Sequence, residues 1–89
     1  MNQEIKDKWI SALESGQYKQ GHCLLRYGNQ HCALGVLHYG VLGLSDSGIG
    51  AYDPEVWGIT RKEISSVWEL NDRDRLPFSE IAIWIKEHL

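Results

Sequence analysis

The sequence lacks the features of a membrane-spanning or secreted protein. Its 89 residues contain no apolar run near the roughly 20 residues that a transmembrane helix needs. The first ten residues carry charges of both signs, so we expect no secretory signal. The two cysteines are expected to be reduced thiols in the cytoplasm. The length also excludes two-domain enzymes and dinucleotide-binding folds, and we predict one domain over residues 1–89.

An excess of positive charge is also missing. Twelve acidic residues against nine basic ones give a net charge of −3, so the chain has no overall cationic field to attract nucleic acid. The sequence contains neither internal repeats nor a low-complexity tract. Nucleic acid is therefore not an expected partner.

Aromatic residues, in contrast, are plentiful for so short a chain. Each of the four tryptophans can bury about 150–250 Å², which supplies a core that length alone would leave thin. Trp9, Trp68 and Trp84 lie on apolar helical stripes and are predicted to be buried. Trp57 fits no stripe, so it is predicted to be an exposed anchor for a protein partner, together with Tyr52.

Periodicity and capping signals predict an α+β fold with three or four short helices packed around one small β-hairpin. Gly28-Asn29 is typical of a tight turn, and a two-residue turn there places Arg26 opposite His31. A three-residue turn would shift that pairing by one residue. The other predicted elements are helices over 3–15, within 34–44, from 61 to about 71 and after 79, a loop over 45–52, a short turn at 53–58 and a connector over 72–75.

Three of the predicted helical segments have recognisable starts. Asp53 is the predicted N-cap of the short turn, with Pro54 at its first position. Thr60 and Glu63 form a capping box, so the third helix should begin at residue 61. Ser79 is the predicted cap of the last helix.

Four sequence blocks resemble a family of small, mostly uncharacterised phage and prophage proteins. The family pattern runs W-x-x-A-L-x-S-G-x-Y-x-Q-G, C-C-L-G-V-L, L-N-D and F-x-E-I-A-x-x-I, and the matching segments here are residues 9–21, 32–37, 70–72 and 78–85. The chain departs from the pattern at Ala33, where the family usually has a second cysteine, and at His38-Tyr39, where it often has Cys-Asp. The resemblance implies an accessory phage protein, and by analogy one that acts against bacterial immunity.

Cysteine and histidine suggest two kinds of chemistry, neither of which we favour. Cys23, Cys32 and His38 are suitable zinc ligands, but adjacent His-Cys pairs on strands point to opposite faces. Cys32 could instead be a nucleophile with His31 or His38 as base, although no oxyanion donor can be assigned. Buried thiols are the preferred interpretation, so we predict no catalytic or metal-binding residue.

The polar and aromatic residues of the hairpin and the connector are candidates for a ligand site. Arginine presents a planar fork suited to phosphate, and tyrosine offers a ring for stacking. Solvated surface charge explains the same residues equally well, and for Asn71 a structural capping role is preferred. The predicted ligand-binding residues are Tyr18, Lys19, Gln20, His22, Arg26, Tyr27, His31, Asn71, Arg73 and Arg75.

The expected function follows from the resemblance and from these residues. We predict a non-enzymatic phage accessory protein without cofactor, which counteracts a bacterial defence system by sequestering a small nucleotide-type signal. It is expected to form a homo-oligomer, because a small domain encloses a pocket more readily between protomers, and to act in the host cytoplasm without membrane contact. The alternative is a direct inhibitor of a host protein, bound through Tyr52 and Trp57.

Overall fold

A computed structural model describes residues 1–45 and 50–89. Two of its helices widen at their C-terminal ends into π-helical segments, here π1 and π2. The elements in chain order are α1 (Gln3–Glu14), β1 (Lys19–Gln20), β2 (Arg26–Tyr27), β3 (Gln30–His31), α2 (Ala33–Gly35), π1 (Val36–Val41), α3 (Pro54–Trp57), α4 (Arg61–Trp68), π2 (Glu69–Arg73) and α5 (Phe78–His88). The predicted loop over 45–52 includes residues 46–49, which lie outside the described residues.

Helix α1 confirms the amphipathic pattern of the first fifteen residues. The side chain of Asn2 caps the helix by accepting a hydrogen bond from the backbone N–H of Ile5 at 3.0 Å. Trp9 is fully buried, and its indole N–H donates to the carbonyl of Ala33 at 2.9 Å. The apolar stripe of α1 therefore fixes this helix against the start of α2.

The sheet contains the predicted hairpin and one strand more. β2 and β3 pair antiparallel with Arg26 opposite His31, which confirms the two-residue turn at Gly28-Asn29. β1 adds to the other side of β3 in parallel, with Gln20 opposite His31, so β3 is the central strand. This parallel strand was not predicted, because two polar residues carry no strand signal of their own.

The junction between β3 and α2 requires a glycine. Cys32 is the N-cap of α2, and its sulfur accepts a hydrogen bond from the backbone N–H of Gly35 at 3.3 Å. A Cβ on Gly35 would collide with the carbonyl oxygen of Leu25. The hairpin backbone and α2 can approach this closely only because residue 35 has no side chain.

The helix starts at Asp53-Pro54 and at Thr60 agree with the sequence. Asp53 accepts from the N–H of Glu55, and Thr60 and Glu63 form the complete capping box. The predicted cap at Ser79 was wrong: α5 begins at Phe78, with Pro77 in the N-cap position. The φ of about −65° that proline imposes is compatible with this position, and no side-chain hydrogen bond caps α5.

The prediction that Trp68 is buried was also wrong, since 44% of its surface is exposed. Along α4 and π2 the buried positions are Ile64, Val67 and Asn71. That spacing of three and four residues leaves Trp68 outside the buried face. The last buried position holds the polar residue Asn71, where the apolar pattern predicts a hydrophobic one.

The buried side chains come mostly from the helices, which confirms the α+β class with a small sheet. Ile81, Ala82 and Ile85 on α5 are buried, and Trp84 is only half-buried. Within the described ranges, no helix combines the length and apolarity that crossing a membrane would take.

Candidate functional site

The buried side chain of Asn71 links three separate segments of the chain. Its Oδ1 accepts hydrogen bonds from the Gln20 side-chain amide at 3.0 Å and from the backbone N–H of Ala33 at 3.1 Å. Its Nδ2 donates to the carbonyl of Gly21 at 2.9 Å and to the carboxylate of Asp72 at 2.7 Å. Asn71 is 1% exposed, and both ends of its amide are engaged inside the protein.

The hairpin region and the segment after α4 therefore meet. The hydrogen bonds that join them come from two of the predicted ligand residues, Asn71 and Gln20. Gln20 also donates to the carbonyl of Leu76 at 2.7 Å, so its amide is engaged inside the protein as well. The assignment of Asn71 to a ligand site was wrong, because a buried amide with internal partners has no capacity left for a ligand. Gln20 has the same structural role.

Side chains that pair across the strands divide the sheet into two faces. We call Gln20, His31 and Arg26 the anchored face, since the registers place them side by side across the three strands. Lys19, Gln30 and Tyr27 form the corresponding row on the opposite side, which we call the open face. The predicted ligand residues of the strands are thus split between two surfaces.

The anchored face packs against aromatic rings. His31 contacts Tyr18 and Tyr39 edge-on, with ring centroids 5.2 and 5.9 Å apart. The guanidinium carbon of Arg26 lies 4.6 Å from the centre of the Tyr39 ring, within cation–π distance. Burial, and next the positive charge of Arg26, lower the pKa of His31, so this face favours the neutral imidazole.

Ring contacts continue from the anchored face to Trp57. Tyr39 contacts His38, whose ring centroid lies 5.8 Å from that of Trp57. The indole N–H of Trp57 donates to Nδ1 of His38 at 3.0 Å, and because an indole only donates, the proton of this histidine is on Nε2. Nε2–H then donates to the carbonyl of Ser45 at 3.2 Å.

Trp57 is 1% exposed, so its prediction as an exposed partner anchor was wrong. The short helix α3 gives little periodicity to read, and the hydrogen bond to His38 accounts for burial of the indole. Tyr52 lies beside it with ring centroids 5.3 Å apart and remains 43% exposed. Of the two predicted interface residues, only Tyr52 is available at the surface.

The open face makes few contacts with the rest of the protein. Tyr27 is 73% exposed, Lys19 is exposed and Gln30 is half-buried. Within residues 1–45 and 50–89, the structure assigns these three side chains no hydrogen bond, ion pair or ring contact. The sequence interpretation missed Gln30, although its position after the Gly28-Asn29 turn, opposite Tyr27, could have indicated it.

Three other predicted ligand residues lie outside both faces. Arg73 is in π2 and pairs with Asp74 at 3.0 Å and with Glu69 at 3.4 Å; the hydrogen bond to Asp74, followed by the two carboxylate charges, raises its pKa. A phosphate would have to compete there with two carboxylates. Arg75 is exposed and His22 is half-buried.

The two cysteines have different surroundings. Cys32 is buried, and burial, opposed by a backbone hydrogen bond from Gly35, raises its pKa to about 11. A nucleophilic cysteine needs a lowered pKa, so this shift is in the wrong direction for catalysis. Cys23 is exposed. Among the described residues, no three His, Cys, Asp or Glu side chains are grouped closely enough to hold a metal ion.

A depression of about 490 Å³ lies away from the sheet. Its lining residues are Met1, Pro54, Glu55, Gly58, Ile59, Thr60 and Glu63. None of the predicted ligand-binding residues belongs to it, and its two glutamates disfavour a phosphate.

Comparison with known proteins identifies one family model. Residues 1–42, from α1 to the end of π1, match a family described as a domain of unknown function, DUF8296. The chain matches no curated protein and no solved structure. The matched part contains the whole sheet, so both of its faces lie in the segment that is similar to this family.

Proposed function

We propose that the protein acts by binding a small nucleotide-type anion at the open face of its sheet. The observation that carries this proposal is that the exposed Lys19 and Tyr27 and the half-buried Gln30 lie side by side. Their side chains have no hydrogen-bond, ion-pair or ring partner in the described part of the chain. An ammonium, an amide and an exposed aromatic ring together suit a ligand with a negative charge and a planar ring system.

The biological role that we propose is sequestration. The resemblance to small phage and prophage proteins supports an accessory protein that counteracts a bacterial defence system in the host cytoplasm by withdrawing a nucleotide signal. Sequestration needs affinity and no chemical turnover. The neutral, buried thiol of Cys32 supports binding over a cysteine enzyme, since a thiol with a pKa of about 11 is a poor nucleophile at neutral pH.

We also propose that the active form is a homo-oligomer. An open sheet face covers only one side of a ligand and leaves the other side in water. A second copy placed opposite it would enclose the ligand, which small domains achieve more readily between protomers.

Native mass spectrometry of the protein purified from infected cells tests this proposal. We expect an oligomer that retains a small molecule with the mass of a nucleotide, and we expect Tyr27→Ala to lose that molecule. Arg61→Ala is the matched control, because Arg61 is an exposed cation on α4, away from the sheet. A bare monomer that also fails to bind any nucleotide in solution would overturn the proposal.

The second candidate is a direct inhibitor of a host protein, which the exposed ring of Tyr52 favours. Val56, four residues further along in α3, is also exposed, at 41%. If this candidate is correct, Tyr52→Ala abolishes the biological activity and Tyr27→Ala leaves it intact. The opposite result supports nucleotide binding.

A further inference from the structure

The order of the three side chains across the strands of the open face indicates how a nucleotide would lie on it. Gln30 is on the central strand, and it pairs with Lys19 on one side and with Tyr27 on the other. Since neighbouring strands lie about 4.8 Å apart, the Cα atoms of Lys19 and Tyr27 are about 10 Å apart, with Gln30 on the strand between them.

The space beside Gln30 depends on a glycine. Gly21 lies on the same side of the sheet as Lys19, and a Cβ there would be 2.9 Å from Cβ of Gln30. A larger residue at position 21 would therefore push against the side chain of Gln30, the middle residue of this row.

We infer that the open face binds one nucleotide in a fixed orientation, an inference that rests on the proposed function. The base stacks on Tyr27, the amide of Gln30 contacts the edge of the base, and Lys19 binds the phosphate. An amide both donates and accepts, so it can pair with the polar edge of a base, and an ammonium binds a phosphate as a point charge.

A single nucleotide fits this surface better than a strand of nucleic acid does. Sheets that bind single-stranded RNA usually stack two or three bases on several aromatic residues, whereas Tyr27 is the one aromatic residue in this row. The net charge of −3 further disfavours a polyanion, whose affinity comes mainly from many phosphate contacts.

Titration with defined probes tests the orientation. AMP, GMP, CMP and UMP are added separately to the protein, and binding is monitored by the NMR chemical shifts of the backbone amides. The nucleotide that binds best is then compared with its nucleoside. We expect the largest shifts at residues 19, 27 and 30. Tyr27→Ala should weaken nucleotide binding at least tenfold, and Tyr27→Phe should keep it within about threefold because the ring remains.

Lys19 has a different expected signature. Lys19→Ala should weaken binding of the nucleotide at least fivefold and leave the affinity for the nucleoside unchanged. Lys62→Ala, an exposed lysine on α4, is the matched control and should change neither affinity.

The outcomes separate this inference from the proposed function. If a nucleotide binds and both Tyr27→Ala and Lys19→Ala leave its affinity unchanged, the orientation is wrong and the binding function stands. If none of the four nucleotides binds, both fail. Tighter binding of a ten-residue oligothymidylate than of any mononucleotide would overturn the single-nucleotide inference and favour a nucleic-acid partner.

Discussion

On one face of the sheet, the side chains of Gln20, His31 and Arg26 have hydrogen-bond or ring partners outside the strands. On the other face, the side chains of Lys19, Gln30 and Tyr27 have no such partner within residues 1–45 and 50–89. Gln20 is bound to Asn71, and His31 and Arg26 lie against the ring of Tyr39. Two adjacent residues in the same two-residue strand thus have opposite roles. Strand alternation makes this possible, because it lets one side chain hold the sheet in place and exposes the next.

Among the substitutions that compare the two faces, Asn71→Ala should cause the largest loss of stability. The substitution leaves the N–H of Ala33 and the carbonyl of Gly21 without a buried partner, and we expect a loss of about 3 kcal/mol or more in the free energy of unfolding. Urea denaturation followed by circular dichroism measures it. Asn2→Ala, which removes an exposed N-cap, is the control at about 1 kcal/mol. A loss no greater than that of the control would contradict the role of Asn71.

Trp57→Phe tests the second support of the anchored face. It removes the hydrogen bond to Nδ1 of His38, whose ring contacts Tyr39, and leaves a cavity, so we expect a loss of about 2 kcal/mol. Trp68→Phe makes the same chemical change at an exposed site and should cost less than about 0.5 kcal/mol. Equal losses in the two variants would show that Trp57 does not support this face.

The buried thiol of Cys32 should make the stability of the protein depend on pH. Its folded thiol has a pKa of about 11 against 9.0 for an unperturbed thiol, so above pH 9 ionisation favours the unfolded chain. Stability should fall between about pH 9 and pH 11, with a contribution on the order of 2 kcal/mol from this residue. Unfolding measured across this range should show a shallower decline in Cys32→Ala and an unchanged decline in the exposed-site control Cys23→Ala.

Substitutions on the open face should have the smallest effects on folding. Tyr27→Ala and Lys19→Ala remove side chains without partners in the described part of the chain, and each should change the free energy of unfolding by less than about 1 kcal/mol. The same urea titration measures them. A loss as large as that of Asn71→Ala would place Tyr27 among the residues that hold the fold.

Three of the four blocks behind the phage-family resemblance contribute residues to the hydrogen bonds of Asn71. Gln20 and Gly21 come from the first block, Ala33 from the second, and Asn71 from the third, and they meet in one hydrogen-bond network. Ala33 replaces the usual cysteine of the pattern, and since only its backbone N–H is used, the network tolerates the change. The residues that these motifs bring together therefore stabilise the fold.

Local signals in the sequence predicted several elements correctly. The Gly28-Asn29 turn, the register that places Arg26 opposite His31, and the capping box of Thr60 and Glu63 each depend on residues a few positions apart. Turn and capping energies are short-range, so a linear pattern contains them. Tyr27 and Lys19 were chosen as candidate ligand residues from their chemistry alone, and that assignment stays a prediction.

Contacts between distant segments decided what no local pattern could predict. The parallel pairing of β1 joins residues 11 apart in sequence, and Asn71 bonds to residues about 40 to 50 positions away. Trp57 and Trp68 exchanged their predicted environments because burial depends on which helix face meets the core. The sequence by itself determined the Gly28-Asn29 turn, the caps at Asp53 and Thr60 and the α+β class. The tertiary structure decided which face of the sheet is held and which is open, since that depends on long-range partners.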